Sequence, residues 1–207
     1  MPGGAADPVD AAARAVVDLA LSRPPTLGAG RLVCVDGPAG SGKTTLAAAI
    51  AGRHAGARIV HMDDLYDGWD GLPRVSDQLP WLLAPLARGE VGAYRRYDWH
   101  AGRYAEEVPV GPGPLLVLEG VGSGARAVAG LVTVLVWVCA PPELRRARGL
   151  ARDGEAMAPE WDRWMADEAI HLAAERTEAR ADVLVDGTGG RPVVVRPDEP
   201  GTAPDSP

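Results

Sequence analysis

The chain contains no phenylalanine and no asparagine, and only one lysine, Lys43, among its 21 basic residues. Arginine has replaced lysine wherever either cation serves, so the lysine that is left marks a position where a guanidinium does not substitute for an ammonium. Two cysteines are too few for a disulfide framework. Cys34 and Cys139 fall within or at the end of apolar strand-like runs, and both are expected to be buried thiols. No apolar run approaches the ~20 residues needed to span a bilayer, so no membrane partner is expected. The opening MPGGAADPVD has neither a basic n-region nor an apolar h-region, which argues against a secretory signal and for a cytoplasmic location. Basic charge is also in deficit. The net charge of −7 offers nothing to offset phosphate repulsion over the surface, so nucleic-acid binding is not expected.

What is present is organised around RLVCVDGPAGSGKTTL, residues 31–46. The run Leu32-Val33-Cys34-Val35 reads as a buried strand, and a helical run from Thr45 follows the glycines. Between them, 37–44 fits G-x-x-x-x-G-K-[S/T] at every fixed position. Strand, glycine loop and helix in that order are the context a phosphate-binding loop requires. The expected nucleotide contacts are Gly37, Ala39, Gly40, Ser41, Gly42, Lys43, Thr44 and Thr45. Backbone N–H groups form an anion nest at a helix N-terminus, Lys43 reaches the β/γ-phosphates, and the Thr44 hydroxyl ligates Mg²⁺. ATP and Mg²⁺ are therefore the expected cofactors.

At 207 residues and 46% hydrophobic, the chain suffices for one domain, placed at 8–196, with disordered ends at 1–7 and 197–207. Helical spacing over 8–22 predicts a helix with Asp7 as N-cap and Pro8 at its first position. Residues 57–62 predict a second strand delivering Asp63 and Asp64, where α/β proteins place ligands; the alternative is that either acid caps a helix or turn. A loop over 67–75 precedes a helix over 76–88 with Trp81, Leu82, Leu83 and Leu86 on its packed face. Tyr94 to Arg103 gathers aromatics, arginines, Asp98 and His100; it reads either as a substrate surface or as an ordinary hairpin. Strands are predicted at 115–118, ending in Glu119-Gly120, at 131–138, and at 181–187, with an edge strand at 193–195. Residues 143–158 are expected to form a lid, its Arg148 and Arg152 sharing a helix face as a phosphate clamp. A helix is predicted over 159–180, with His171 in a structural role. Alternating strands and helices imply a three-layer α/β/α P-loop NTPase fold with a mainly parallel, five-stranded sheet.

In the order of its motifs the chain resembles the uridine kinase and phosphoribulokinase group of P-loop kinases, over roughly residues 31–188. GPAGSGKT resembles that family's phosphate loop. MDDLY at 62–66 is similar to its D-x-[F/L]-Y segment, implying that Asp63 serves as general base toward a sugar hydroxyl and that Tyr66 lies at the substrate. YDWHAGR at 97–103 resembles its nucleoside-binding stretch, implying Tyr97, Asp98, His100 and Arg103 as substrate contacts. LLVLEG implies Glu119 near the metal with Thr44, and the R-x-x-x-R-D of Arg148 to Asp153 resembles the lid arginines. Lys43, Asp63, Arg148 and Arg152 are the implied catalytic set, and the implied acceptor is a small nucleoside-like molecule. Another small-molecule kinase on the same scaffold, or a non-catalytic nucleotide-binding regulator, are the alternatives. A GTPase switch fits poorly: guanine-specific GTPases read the base with N/T-K-x-D, and this chain has no Asn and no second Lys.

Overall fold

The computed structural model describes residues 7–197. Of the ends expected to be disordered, 1–7 and 197–207, residues 1–6 and 198–207 lie outside the described residues. Five strands run parallel: β1 (Arg31–Asp36), β2 (Arg58–His61), β5 (Leu115–Glu119), β6 (Val134–Cys139) and β7 (Val183–Asp186). Their order is β2-β5-β1-β6-β7, and β8 (Val194–Val195) adds an antiparallel sixth strand at the edge. β1 lies at the centre, with Val35 opposite Glu119 on one side and Val136 on the other.

The central strands read as unbroken apolar runs because both their faces are covered. Alternate residues of β1 serve two different cores. Val33 and Val35 pack with Leu46, Ile50 and Val136 beneath α1 (Pro8–Ser22) and α2 (Lys43–Ala51). Leu32 and Cys34 pack on the opposite side with Leu118, Tyr66, Trp164 and the leucines of α3 (Leu79–Ala87). Asp7 caps α1 as expected, its carboxylate accepting from the Val9 N–H at 3.1 Å.

A two-stranded antiparallel hairpin, β3 (Gly92–Asp98) and β4 (Arg103–Val110), stands beside α3, with its register shifted between Arg95 and Tyr97. Gly92 allows that approach, since a Cβ there would lie 2.0 Å from the Leu82 carbonyl oxygen. α4 (Pro142–Asp153) and α5 (Ala158–Glu175) follow the sheet, and α6 (Thr177–Arg180) leads into β7. Among the described residues no helix is long and apolar enough to cross a membrane.

Several expectations need correction. The helix over 76–88 is a 3-10 segment, Leu72–Asp77, and then α3. Leu79, Leu82, Leu83 and Leu86 form the buried face at i, i+3, i+4, i+7 spacing, which turns Trp81 outward at 70% exposure. Cys139 is exposed, because it is the last residue of β6 and leaves the covered part of the sheet; Cys34 is buried. The helix over 159–180 breaks at Arg176, whose φ of 51° is left-handed and separates α5 from α6.

α4 and α5 are matched at one close contact. A Cβ on Gly149 would lie 2.1 Å from the Trp161 ring. Gly149→Ala is therefore expected to lower stability by about 1–3 kcal/mol through overpacking. A urea titration should show an earlier midpoint at unchanged slope; an unchanged midpoint would mean that the ring shifts freely.

Candidate active site

The phosphate loop is shaped by what surrounds it. Gly37 has φ 136° and passes so near β6 that a Cβ would lie 2.1 Å from the Val138 oxygen; Gly40 has φ 75° and meets the Arg145 oxygen at 2.5 Å in the same way. Side chains at these positions would close the loop's hollow or push it off the sheet. Gly42, with φ 105°, is the N-cap of α2 and supplies no side-chain acceptor. The first N–H groups of α2 thus have no intrahelical partner and mark the anion-binding end of the helix.

Three acidic residues hold this loop in place. Asp36 is fully buried and accepts from the N–H groups of Gly37 at 2.7 Å, Gly122 at 2.9 Å and Gly124 at 2.9 Å. Burial pushes its carboxyl up, and those N–H donors pull the other way. Glu168 of α5 accepts from the Ala39 N–H at 2.7 Å and pairs with Arg145 at 2.5 Å, while Arg145 donates to the Ala39 carbonyl at 3.2 Å. One loop residue is thus gripped through both its backbone groups by a buried ion pair. Glu119 accepts from the Thr44 hydroxyl at 3.2 Å and lies 2.6 Å from Nδ1 of His61, its register partner on β2.

Lys43 is 7% exposed and donates from Nζ to the Pro38 carbonyl at 2.9 Å. Burial lowers its pKa, opposed by the carboxylates of Glu119, Asp36, Glu168 and Asp63. Asp63 lies exposed on the 3-10 turn Met62–Asp64 that follows β2, and its carbonyl accepts from the Trp99 indole at 2.9 Å. Thr44 and Glu119 are hydrogen-bonded, and the carboxylates of Glu119 and Asp63 both act on Lys43. Ser41 is buried and Thr45 exposed, within the loop and on the first turn of α2.

The hairpin meets the 62–69 segment through rings. Tyr97 lies edge-on to Trp99 at 5.4 Å and to Tyr104 at 5.5 Å, and Trp99 lies edge-on to Trp69 at 5.8 Å. Asp98 accepts from the N–H groups of Ala101 and His100, and these bonds hold its carboxyl below the ordinary range. It therefore closes the turn, with Arg103 opposite it and His100 exposed at the tip. Tyr66 lies apart from the site surface: it is 1% exposed, donates to the Val121 carbonyl at 2.7 Å, and packs edge-on to Trp164 at 5.0 Å. Arg148 reaches the loop, donating to the carbonyls of Gly40 and Gly187 at 3.1 Å each. Arg152 is paired with Asp153 at 2.7 Å and lies 5.9 Å from the Trp161 ring centroid.

Sequence reasoning missed Asp36, His61, Arg145, Glu168, Trp69 and Gly187. Asp36 could have been found, since it directly precedes the first loop glycine. Gly187 had no readable signal, yet a Cβ there would lie 1.8 Å from the Ser41 oxygen, so β7 also butts against the loop.

This architecture occurs in solved structures. A candidate fructose transport system kinase from Silicibacter sp. TM1040 superposes on 79% of this chain and 94% of its own, at 21% identity and a TM-score of 0.62. A possible uridine kinase from Bacillus stearothermophilus superposes on 84% of this chain and 98% of its own, at 20% identity and a TM-score of 0.56. At these identities the likeness is one of fold: the three-layer α/β/α arrangement with a mainly parallel sheet is shared with these structures. No protein-family model matches the chain, and no curated protein matches it in sequence.

Proposed function

We propose that this protein is an ATP-dependent phosphotransferase that moves the γ-phosphoryl group to a hydroxyl of a small molecule, a nucleoside fitting best. One observation carries the reading: the buried Lys43 ammonium, the Thr44–Glu119 oxygen pair and the Asp63 carboxylate share the rim of one phosphate loop. Two solved structures that share the fold, both named as kinases, support it.

In this reading the loop N–H groups and Lys43 hold the β- and γ-phosphates. Asp63 accepts the proton of the acceptor hydroxyl and aligns that oxygen with the γ-phosphorus, and Arg148 and Arg152 offset charge on the transferring group. Little covalent chemistry falls to the protein, so positioning and electrostatics supply most of the acceleration. The donor set fits Mg²⁺. Thr44 Oγ1 and Glu119 Oε1 are hard oxygen donors, and no cluster of three or more His, Cys, Asp or Glu suited to a metal exists among the described residues. Mg²⁺ keeps several waters and relies on phosphate oxygens, so two protein oxygens suffice. When bound it would neutralise charge on the β- and γ-phosphates. The rings of Trp69, Tyr97, Trp99 and Tyr104 beside Asp63 support a ring-bearing acceptor such as a nucleoside, with Asp98, His100 and Arg103 at its outer edge.

A screen of nucleosides, nucleoside monophosphates and small alcohols for acceptor-dependent ADP release from ATP–Mg²⁺ tests this. With the acceptor identified, Asp63→Asn is expected to lower kcat by about 10²–10⁴ while ATP binding is kept. Acceptor-dependent turnover that survives Asp63→Asn would remove Asp63 from the mechanism. No response to any acceptor would favour a nucleotide-binding regulator.

A further inference from the structure

Behind the phosphate loop, away from Asp63 and the hairpin, lies an open cleft of about 390 Å³ between the end of β6, α5 and α6. Pro38, Met165 and Leu172 give it an apolar lining. Its polar groups have unused capacity. Trp137 is 7% exposed, and its indole N–H is buried with no acceptor in the described structure. An unpaired buried donor costs about 1–3 kcal/mol, so a folded protein rarely keeps one without a use.

The second anomaly is Arg176, also in the lining. It is the one non-glycine with positive φ among the described residues, at 51°. Glycine or asparagine suits that conformation better, and a long side chain is kept there at a cost. No hydrogen bond or ion pair holds its guanidinium among the described residues. Arg145 adds a third donor group to the wall, beside its buried partner Glu168, both of whose oxygens are engaged. Two carboxylates line the cleft: Glu168 is taken up by Arg145 and the Ala39 N–H, and Glu178 offsets part of the charge of Arg176. One arginine whose guanidinium has no partner among the described residues, held at positive φ, and an apolar lining define the occupant's chemistry.

We propose that this cleft is a second ligand site, which takes a singly charged organic anion with an apolar body and adjusts nucleotide binding. The apolar part fills the space over Met165 and Leu172, and the acidic group accepts from the Arg176 guanidinium. Coupling follows from shared walls. Pro38 belongs to the phosphate loop, and Arg145 and Glu168 hold both backbone groups of Ala39. An occupant that shifts α5 against β6 shifts that grip. A site built on both the loop and α5 therefore influences how the loop receives phosphate, whatever the nucleotide is used for.

The probe is 8-anilinonaphthalene-1-sulfonate, an apolar body with one anionic group. Saturable binding at one equivalent is expected on the intact protein, and Arg176→Glu should weaken it about tenfold, as loss of a charge-assisted contact does. Ala169→Trp and Ala173→Trp, both at exposed lining positions, should each abolish it, with far-ultraviolet circular dichroism and melting showing that each variant is folded. Calorimetric ATP binding should change at least threefold when the probe saturates the intact protein, and not in the filled variants. Inorganic phosphate should neither compete with the probe nor reproduce its effect. Probe binding that persists in both folded tryptophan variants would overturn the site, and an ATP affinity indifferent to the probe would overturn the coupling. Since ATP binding is measured without an acceptor, failure here would be distinct from failure of the phosphotransfer reading.

Discussion

Lys43→Arg is expected to lower kcat/KM for ATP by about 10³ or more while leaving the protein folded, although positive charge is conserved. Nζ of Lys43 sits almost out of solvent, bonded across the loop to the Pro38 carbonyl. Four carboxylates, those of Glu119, Asp36, Glu168 and Asp63, oppose the lowering of its pKa by burial. A compact ammonium fits that space and can swing from Pro38 to a phosphate. A planar guanidinium is broader, presents five donors in a fixed fork, and would meet the backbone of a loop whose glycines already lie against β6 and α4. Composition points the same way, because every other basic residue of the chain is arginine. ATP-dependent turnover and calorimetric ATP binding, with circular dichroism as the folding control, check this. Activity above a tenth of the parent's would show that only the charge matters at this position.

The parts of the molecule legible in the sequence were those governed by neighbours along the chain. The apolar runs of β1, β5 and β6 announce strands covered on both faces, and the glycines at 37, 40 and 42 announce a loop with unusual backbone angles. Together they gave the fold class and half the site. Contacts between distant segments could not be read. Glu168 grips Ala39 across 129 residues of sequence, and nothing about an acidic residue in a helix rich in charge distinguishes it from a solvated one. The same limit hid His61, which meets Glu119 only because β2 and β5 pair in that register. Trp81 was assigned to the packed face by hydrophobicity, but a face is set by angle. At two residues from Leu79 it falls about 200° around the helix from that leucine. The arginines of α4 illustrate a further limit. Spacing places Arg148 and Arg152 on one face, yet Arg148 bonds the loop while Arg152 pairs with Asp153.

Glu168 is also where the largest loss of stability is expected. Glu168→Leu leaves the Arg145 guanidinium, in a residue 8% exposed, without its counter-ion and the Ala39 N–H without its acceptor. Breaking one side of a buried pair costs about 3–5 kcal/mol, most of it the burden of the abandoned charge. Burial pushes the Glu168 carboxyl up, which shows how costly that environment is for any charge standing alone. Replacing both partners, Arg145→Leu with Glu168→Leu, removes the orphaned charge and should restore most of the lost stability in a urea titration. It does not restore the loop, since Ala39 then loses the partners of both its N–H and its carbonyl. The double variant should therefore combine near-parental stability with a KM for ATP raised about tenfold, the scale of one lost charge-assisted bond. If the double variant were as unstable as the single, packing and not charge would account for the loss. If it bound ATP as the parent does, the pair would hold α5 to the sheet without positioning the loop, and the coupling from the cleft behind it would have no carrier.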